Sequence, residues 1–274
     1  MVSRRESTMA YAILVAFSVF AVWPIVAIIL LAFNPPGTLV GGVGLPAVWS
    51  IQSFITAWND AGIGPALLHS IVVAVVVVAA AVGLSIMAAY AFGTMRFRGQ
   101  SVLFYYILIG IMIPYQATII PLYFDFRAIH LTDTYLGLIL PQAAFSVSFG
   151  TFWMRAFFRS FPRELVEAAR TDGANSWQIL WAVIVPSAAP AALALALILF
   201  IWTWNDLMIA IVMVQSPSLE LAPAALAFFA GTERGPDLPI VAAAAILVAL
   251  PVLVTYTILQ RRYVDGVVAG AITG

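Results

Sequence analysis

The side chains with the greatest capacity for chemistry are concentrated in one short segment, residues 162–177, with the sequence PRELVEAARTDGANSW. The chain has only twelve basic and twelve acidic residues. Five of them lie in this segment: Arg163, Glu164, Glu167, Arg170 and Asp172. Helical spacing places four residues on one face: Glu164, Glu167, Ala168 and Thr171. With Ala169 beside Ala168, such a surface is flat and edged by charge. It could accept another protein closely, or it could be a solvated amphipathic linker.

The first half of the segment carries the signals of a short helix. Ser160 can cap it. Its first turn would hold Pro162 and Glu164. Proline is tolerated there because a backbone N–H in the first turn has no intrahelical partner, and the helix dipole favours the carboxylate of Glu164. The helix should end at Gly173, since glycine readily adopts a positive φ.

The second half predicts another helix. Asn175 and Gln178 have the spacing of a capping box. Pro186 is expected to end this helix, because proline interrupts the backbone ladder. The two helices together form a hairpin over residues 160–186.

Other catalytic or metal-binding patterns are missing from the sequence. His69 and His130 have no His, Asp or Glu at ligand spacing, so neither is expected to bind a metal. The chain has no cysteine, which excludes a disulfide or a Cys-based redox site. It has no Gly-x4-Gly-Lys-Ser/Thr phosphate loop, so any ATP must be hydrolysed by another protein. Zero net charge argues against a nucleic-acid partner. We therefore expect a non-catalytic protein with no cofactor of its own.

The elements that must position these residues are membrane helices. Hydrophobic residues make up 64% of the chain and charged residues 9%, and the mean hydropathy is +1.06; soluble domains carry about 25% charge. Six windows are long enough to cross a hydrocarbon core of roughly 30 Å: residues 10–33, 68–92, 101–122, 135–157, 188–214 and 239–260. They are too long and continuous for barrel strands. The sequence predicts an all-α membrane protein with six transmembrane helices.

The arginines predict the orientation of these spans, because basic loops stay in the cytoplasm. Ten arginines fall on one side of the six-span arrangement: Arg4, Arg5, Arg96, Arg98, Arg155, Arg159, Arg163, Arg170, Arg261 and Arg262. Arg127 and Arg234 fall on the other. Both termini and the hairpin should therefore be cytoplasmic. The first span is interpreted as an uncleaved signal anchor, and residues 53–64 as a short interfacial helix.

Three regions follow from this arrangement. Residues 1–64 comprise the first helix and an external loop. Residues 65–265 form a core of five helices that includes the hairpin, and residues 266–274 form a cytoplasmic tail.

The sequence EAARTDG followed by VIVP resembles the EAA signature of inner-membrane permease subunits of ABC importers. That signature is Glu-Ala-Ala, three residues, Gly, nine residues, then Ile-x-Leu-Pro. The matching residues are Glu167, Ala168, Ala169, Gly173 and Pro186. Val183 and Val185 replace the usual Ile and Leu and keep branched apolar side chains.

Six blocks, one of which contains the EAARTDG sequence, are similar to the carbohydrate-importer permeases of the maltose or glycerol-phosphate type and occur in the order of that family. They cover about residues 65–274: AAYAFGTMRFRG, IPYQATIIPLY, DTYLGLILP, FFRSFPRELVEAARTDGA, WTWNDLMIA and QRRYVDGVVAGAITG. The usual AGAVKG ending is AGAITG here, so no role is assigned to the last residues.

The resemblance implies a type I ABC importer permease fold and a set of partners. These are a second, related permease, two ATPase subunits that bind ATP and Mg²⁺, and an external solute-binding protein. The EAA hairpin would contact an ATPase subunit through seven residues: Glu164, Glu167, Ala168, Ala169, Asp172, Gly173 and Pro186. The chain would import a disaccharide, oligosaccharide, polyol or glycerol phosphate across a prokaryotic cell membrane.

Polar residues within the spans are candidates for the sugar route. Asp206 is the only acidic residue in a predicted span, and such charges often mark a pathway. Trp204 and Asn205 adjoin it, and three further candidates are Tyr115, Gln116 and Gln142. Thr118, Ser146 and Ser148 could face the same route. The alternative is that these residues only tie helices together or, for those between Pro114 and Pro121, mark a packing kink.

Two other classes of protein are less consistent with this pattern. An ion-coupled secondary transporter would need internal repeats and buried titratable ion sites, whereas the spans contain one acid. A membrane-embedded enzyme would need a catalytic pair or a metal cluster.

Overall fold

The computed structural model describes residues 4–39, 44–159, 161–231 and 237–272, and these regions contain helices and no strand. Of the residues named in the predictions, Ser160 and Arg234 lie outside the described residues. The α-helices are α1 (Arg4–Ala32), α2 (Gln52–Asn59), α3 (Ile63–Thr94), α4 (Gln100–Met112), α5 (Tyr115–Ala128), α6 (Tyr135–Arg159), α7 (Arg163–Thr171), α8 (Ser176–Gln178), α9 (Val185–Trp204), α10 (Leu207–Met213), α11 (Ala222–Ala230) and α12 (Leu238–Ile272). A π-helical segment, Ile179–Ile184, joins α8 to α9.

Five helices in the described part of the chain are long and apolar enough to cross a membrane, and a sixth crossing arises if the bent pair α4 and α5 counts as one span. This agrees with the six predicted windows. The predicted interfacial helix corresponds to α2, which begins one residue earlier than predicted, at Gln52, and ends five residues earlier, at Asn59.

The third predicted span is not one continuous helix. It breaks at Pro114, and α4 and α5 meet at 93°. Proline disfavours the helical conformation at the residue before it, and Ile113 is accordingly extended, at ψ 124°. The predicted kink is therefore a sharp bend between two separate helices, which we call the elbow. The thirteen residues of α4 rise only about 20 Å, less than the full hydrocarbon core.

The fifth predicted span differs at both ends. It begins at Ser176, within the hairpin, and runs to Trp204, so the prediction that Pro186 ends the second hairpin helix is wrong. Pro186 instead lies in the first turn of α9, directly after the π-helical segment. In the π-helical segment the backbone already departs from the regular α-helical hydrogen-bond pattern. A proline directly after this segment therefore interrupts fewer α-helical hydrogen bonds. At the other end, the helix stops before Asn205, and α10 continues as a separate element.

The described residues divide into two compact units. In the first, Met1–Leu67 with Ala225–Leu250, the Phe33 ring lies 5.6 Å from Trp49 and 5.2 Å from Phe54. The Ser53 hydroxyl donates to the Asn34 carbonyl at 2.7 Å. These contacts hold α2 against the end of α1.

The second unit, Leu68–Ala224 with Pro251–Gly274, contains two apolar clusters. The hairpin cluster is built from α3, α6, α7 and the fifth span, and includes Tyr90, Met154, Phe158, Val166, Ile179 and Leu180. The external cluster includes Val73, Leu138, Ile209, Met213 and Leu219. The hairpin cluster thus ties the short helix α7 to three spanning helices.

Candidate coupling hairpin and translocation cavity

The hairpin begins with α7, whose start differs from the prediction. Pro162 occupies the position before the first helical residue, at φ −57° and ψ 122°, and no side chain caps this end. Pro162 is therefore outside the first turn, because its extended ψ does not continue a helix. Glu164 does lie in the first turn, where the dipole stabilises a carboxylate.

The turn after α7 has the predicted geometry. Gly173 has a φ of +81°, and its N–H donates to the Arg170 carbonyl at 3.0 Å. Ala174 N–H reaches back to the Ala169 carbonyl at the same distance. These bonds satisfy carbonyls at the end of the helix, so the turn is a defined structure and not a loose linker.

The predicted capping box is present at the start of α8. The Asn175 side chain accepts from the Gln178 N–H at 2.9 Å, and the Gln178 side chain accepts from the Asn175 N–H at 2.9 Å. Asn175 also accepts from Trp177 N–H at 3.0 Å. The side-chain oxygens therefore satisfy N–H groups that the helix start leaves free.

The two sides of α7 have different surroundings. Val166 is only 9% exposed and lies in the hairpin cluster, and Ala169 packs against that cluster. The opposite face is exposed and comprises Glu164, Glu167, Ala168 and Thr171. We call these four residues the α7 outer face. The structure thus separates Ala168, which is on this face, from Ala169, which points inward.

The remaining predicted hairpin residues are divided in the same way. Asp172 and Gly173 are exposed at the turn beside the α7 outer face. Pro186 is also exposed but lies in α9, beyond the π-helical segment. It therefore belongs to the transmembrane helix that leaves the hairpin.

A cavity of about 560 Å³ lies at the elbow between α4 and α5 and at the break between α9 and α10. We call it the translocation cavity, after the sugar route that the sequence predicts at these residues. Five of the six predicted route residues line it: Tyr115, Gln116, Gln142, Asn205 and Asp206. Ser146 lines it as well, whereas Ser148 does not. Two interrupted helices thus meet at one cavity, as is common where transporters bind solutes.

Trp204 does not line the translocation cavity, contrary to the prediction. It is 3% exposed and stacks on Phe200, with ring centroids 5.5 Å apart. Trp202 lines the cavity instead, with 43% of its surface exposed. Helical periodicity could have distinguished the two tryptophans. Residue 202 lies three and four positions before residues 205 and 206 and therefore shares their helix face, whereas residue 204 does not.

Aromatic rings line one side of the translocation cavity. Phe145 lies between Tyr115, at 5.0 Å, and Trp202, at 6.5 Å. Trp202 also contacts Phe149 at 4.7 Å. A partly exposed ring held by such neighbours offers a flat apolar face to a ligand at little entropic cost.

Polar groups complete the translocation cavity. The Asp206 carboxylate accepts from the Ile209 N–H at 3.3 Å and so caps α10. The Tyr115 hydroxyl lies beside that carboxylate, without a hydrogen bond of regular geometry. Gln142 donates to the Leu138 carbonyl at 2.8 Å, but its buried Oε1 has no partner. The wall of the cavity therefore contains two buried oxygens, of Tyr115 and Gln142, without a regular hydrogen bond within the protein.

A second cavity of about 670 Å³ lies along α5 and α6. It contains Thr118, a candidate for the sugar route, and Asp125. The Thr118 hydroxyl donates to the Tyr115 carbonyl at 2.7 Å. Thr118 therefore stabilises the start of α5 and does not line the translocation cavity.

The two histidines lie apart from any metal-ligand cluster. The described residues contain no group of three His, Cys, Asp or Glu side chains that could hold a metal ion. His69 Nδ1 is 2.6 Å from the Tyr135 hydroxyl. His130 has a φ of +57° and lies in the turn before α6.

An acid that the sequence did not single out joins two external loops. Asp133 Oδ1 accepts from Gln215 N–H at 2.7 Å and from Ser216 N–H at 2.9 Å, and the Asp133 N–H donates to the Met213 carbonyl. These backbone donors, Gln215 first, lower the pKa of the Asp133 carboxyl below its ordinary value, because they stabilise its charged form.

Comparison with known proteins places this architecture in a family. Residues 81–267 match the family described as "Binding-protein-dependent transport system inner membrane component". The chain is 34% identical to the trehalose transport system permease SugB of Mycobacterium tuberculosis, covering 93% of each chain. It is 30% identical to the diacetylchitobiose uptake system permease NgcG of Streptomyces coelicolor, covering 97% of this chain and 89% of the relative.

A solved structure supports the same relationship. It is a chain of a bacterial ABC transporter involved in the import of alginate, an acidic polysaccharide. The TM-score is 0.82 at 25% identity, and the match covers 95% of this chain and 98% of the other. The fold is thus that of an ABC importer permease, as the EAA spacing predicted, and the chain belongs to the family of binding-protein-dependent transport system inner membrane components.

Proposed function

We propose that this chain is the permease subunit of an ATP-driven importer that moves a sugar or sugar-like solute into a prokaryotic cell. The observation that carries the proposal is the α7 outer face. It is exposed and charged, yet its helix is held by Val166 and Ala169 in a cluster shared with three spanning helices. A surface of this kind can bind a partner and pass its movement to the membrane.

The partner at this surface is an ATPase subunit. The family is one of transport components that depend on binding proteins, which favours an ATP-driven importer over an ion-coupled secondary transporter. The complex would contain a second permease, two ATPase subunits and an external solute-binding protein. ATP and Mg²⁺ bind to the ATPase subunits, and this chain has a non-catalytic role.

The mechanism follows from the rigid connection between the hairpin and the spans. ATP binding closes the ATPase dimer and displaces α7. Since the capping box fixes α8 to the turn and α8 continues into the fifth span, that displacement moves α9 and its break at Asn205. The translocation cavity at this break would then change its access from one side of the membrane to the other.

The solute class is supported by the relatives and by the cavity. The relatives named above import trehalose and diacetylchitobiose, and the structural neighbour imports alginate. The cavity combines the exposed Trp202 ring with unsatisfied polar groups, which suits the apolar faces and hydroxyls of a saccharide. A polyol or a glycerol phosphate belongs to the same class of candidate solutes.

Reconstitution tests the function directly. The chain is purified with its co-expressed partner permease and ATPase and placed in liposomes, and uptake of a panel of radiolabelled sugars is measured with and without ATP and the binding protein. We expect uptake that requires both. Uptake that proceeds with an ion gradient and without ATP would contradict the proposal and favour a secondary transporter.

A further inference from the structure

The charge of the translocation cavity narrows the solute class. Fifteen residues line this cavity, all within the described part of the chain, and Asp206 is the only one of them with a carboxyl group. None of the fifteen is an arginine, lysine or histidine. The wall that this subunit contributes therefore holds one carboxyl group and no basic side chain to bind an anion.

We propose that this wall selects against anionic solutes, so that the transported compound is an uncharged saccharide and not a uronate, a sulfonate or a sugar phosphate. The inference rests on the proposed function and goes further by specifying the charge of the solute. A carboxylate or phosphate in the cavity would face the Asp206 carboxylate with no basic side chain on this wall to compensate. In a partly desolvated site, repulsion between like charges is poorly screened.

The backbone of α10 holds the Asp206 carboxylate in the wall of the cavity. This carboxylate caps the N-terminus of α10 through Ile209 N–H, where the helix dipole stabilises a negative charge. The Tyr115 hydroxyl lies beside the same carboxylate.

The other groups suit a neutral sugar. Gln142 is 3% exposed, and its buried Oε1 has no hydrogen-bond partner in the protein. The exposed amides of Gln116 and Asn205 also line the cavity and can both donate and accept. Trp202 supplies the flat face on which a pyranose ring packs. Each of these contacts is available to a solute without charge.

The test is a binding measurement on the assembled permease and ATPase complex in nanodiscs, without the binding protein, whose own specificity would obscure the result. The probe is the sugar that shows the highest uptake in liposomes, in its uncharged form and in forms that carry a phosphate or a uronate carboxylate. We expect the anionic forms to bind roughly tenfold or more weakly. We also expect no uptake of the anionic forms.

The variant Asp206→Asn isolates the charge, because asparagine is as good an N-cap as aspartate. It should reduce the preference for the uncharged form to within about threefold. Asp206→Ser also keeps an N-cap, and it serves as a second uncharged variant if the asparagine amide disturbs the packing. The matched control is Asp125→Asn, which removes an exposed carboxylate outside the translocation cavity and should leave the preference unchanged.

Four outcomes would overturn the inference. Equal binding of uncharged and anionic forms by the unmodified complex would do so, and so would a preference that Asp206→Asn and Asp206→Ser do not change. ATP-dependent uptake of an anionic sugar would contradict the charge selection while leaving the importer function intact. If no saccharide is taken up with ATP and the binding protein, the proposed function fails and the charge selection fails with it.

Discussion

Asn175 and Gln178 exchange two hydrogen bonds of 2.9 Å each, from backbone N–H to side-chain oxygen in both directions. This pair fixes the start of α8 directly after the turn at Gly173. Because α8 continues through the π-helical segment into α9, the pair lies at the joint between the α7 outer face and the fifth span.

We expect Asn175→Ala to loosen this joint by about 1 kcal/mol, the usual cost of losing an N-cap. Hydrogen exchange of the amides of residues 177–180 in the detergent-purified protein should increase several-fold, while exchange in α3 stays constant. Asn175→Asp keeps an acceptor at the same position and is the control. Unchanged exchange in Asn175→Ala would show that the pair does not hold the helix start.

The hairpin is the part that sequence reasoning predicted best, because its signals are local. A glycine at a helix end and an Asn and Gln three residues apart act through neighbouring backbone groups, and both are present in the structure. The start of α7 was less predictable. Pro162 is compatible with the first turn or with the position before it, and only the extended ψ of 122° distinguishes the two.

Features that depend on packing were harder to predict. Pro186 looked like a helix stop, but the π-helical segment before it lets the helix continue. Pro114 predicted a kink, whereas a 93° bend also depends on the helices around it. Trp202 and Trp204 lie on different faces of the same helix. The prediction grouped residues 204–206 because they are adjacent in sequence, and it did not take the helix face into account.

Close helix packing gives a second prediction. A Cβ added to Gly150 on α6 would overlap the Ser85 hydroxyl, and it would lie 2.9 Å from Ser85 Cβ. Since a Cβ cannot move independently of the backbone, Gly150→Ala should push α3 and α6 apart. We expect a loss of about 1 to 3 kcal/mol, as for other overpacked sites, measured as a lower thermal midpoint in detergent.

Gly83 offers a matched control for this prediction. It lies within α3, and a Cβ there would meet nothing within 4 Å. Gly83→Ala should therefore be neutral or raise the midpoint, since alanine favours a helix by up to about 1 kcal/mol. Equal midpoints for the two variants would contradict the close approach of Gly150 to Ser85.

The loop contact of Asp133 predicts a dependence on pH. Its pKa is lower in the folded protein than in the unfolded chain, so the unfolded state binds the proton more readily. The stabilisation is therefore complete above the unfolded pKa, near 4, and is lost as pH falls through the folded pKa. Thermal midpoints of the unmodified protein and Asp133→Asn should differ most near neutral pH and converge as the pH falls through the folded pKa.

Asparagine suits this comparison because Asp133 has a φ of +55°, a conformation that asparagine tolerates well. It also keeps an oxygen that can accept from Gln215 and Ser216. A difference between the two proteins that does not change with pH would mean that the charge of Asp133 has no part in joining the loops.

The two tryptophans predict opposite phenotypes. Trp202 lines the translocation cavity and is 43% exposed, whereas Trp204 is 3% exposed. Trp202→Ala should reduce sugar uptake at least several-fold and change the thermal midpoint little. Trp204→Ala should lower stability by about 3 to 5 kcal/mol, as expected for a buried tryptophan. Reversed phenotypes would place the solute elsewhere.

The central claim is that the α7 outer face couples ATP hydrolysis to transport, and charge reversal at Glu167 tests it most directly. Glu167 is exposed and its side chain supports no part of the apolar cluster, so Glu167→Lys should fold and reach the membrane in normal amounts. Asp125→Lys, at another exposed acid, is the control. Gly173→Pro should give the same result as Glu167→Lys, because proline cannot adopt the φ of +81° at this turn.

The deciding measurement is ATP-driven sugar uptake by reconstituted complexes that carry Glu167→Lys, normalised to the amount of permease in the liposomes and accompanied by the amount of ATPase subunit that co-purifies. We predict that uptake is abolished and ATPase association is reduced, while Asp125→Lys transports normally. Normal ATP-coupled uptake by the Glu167→Lys complex would contradict the account.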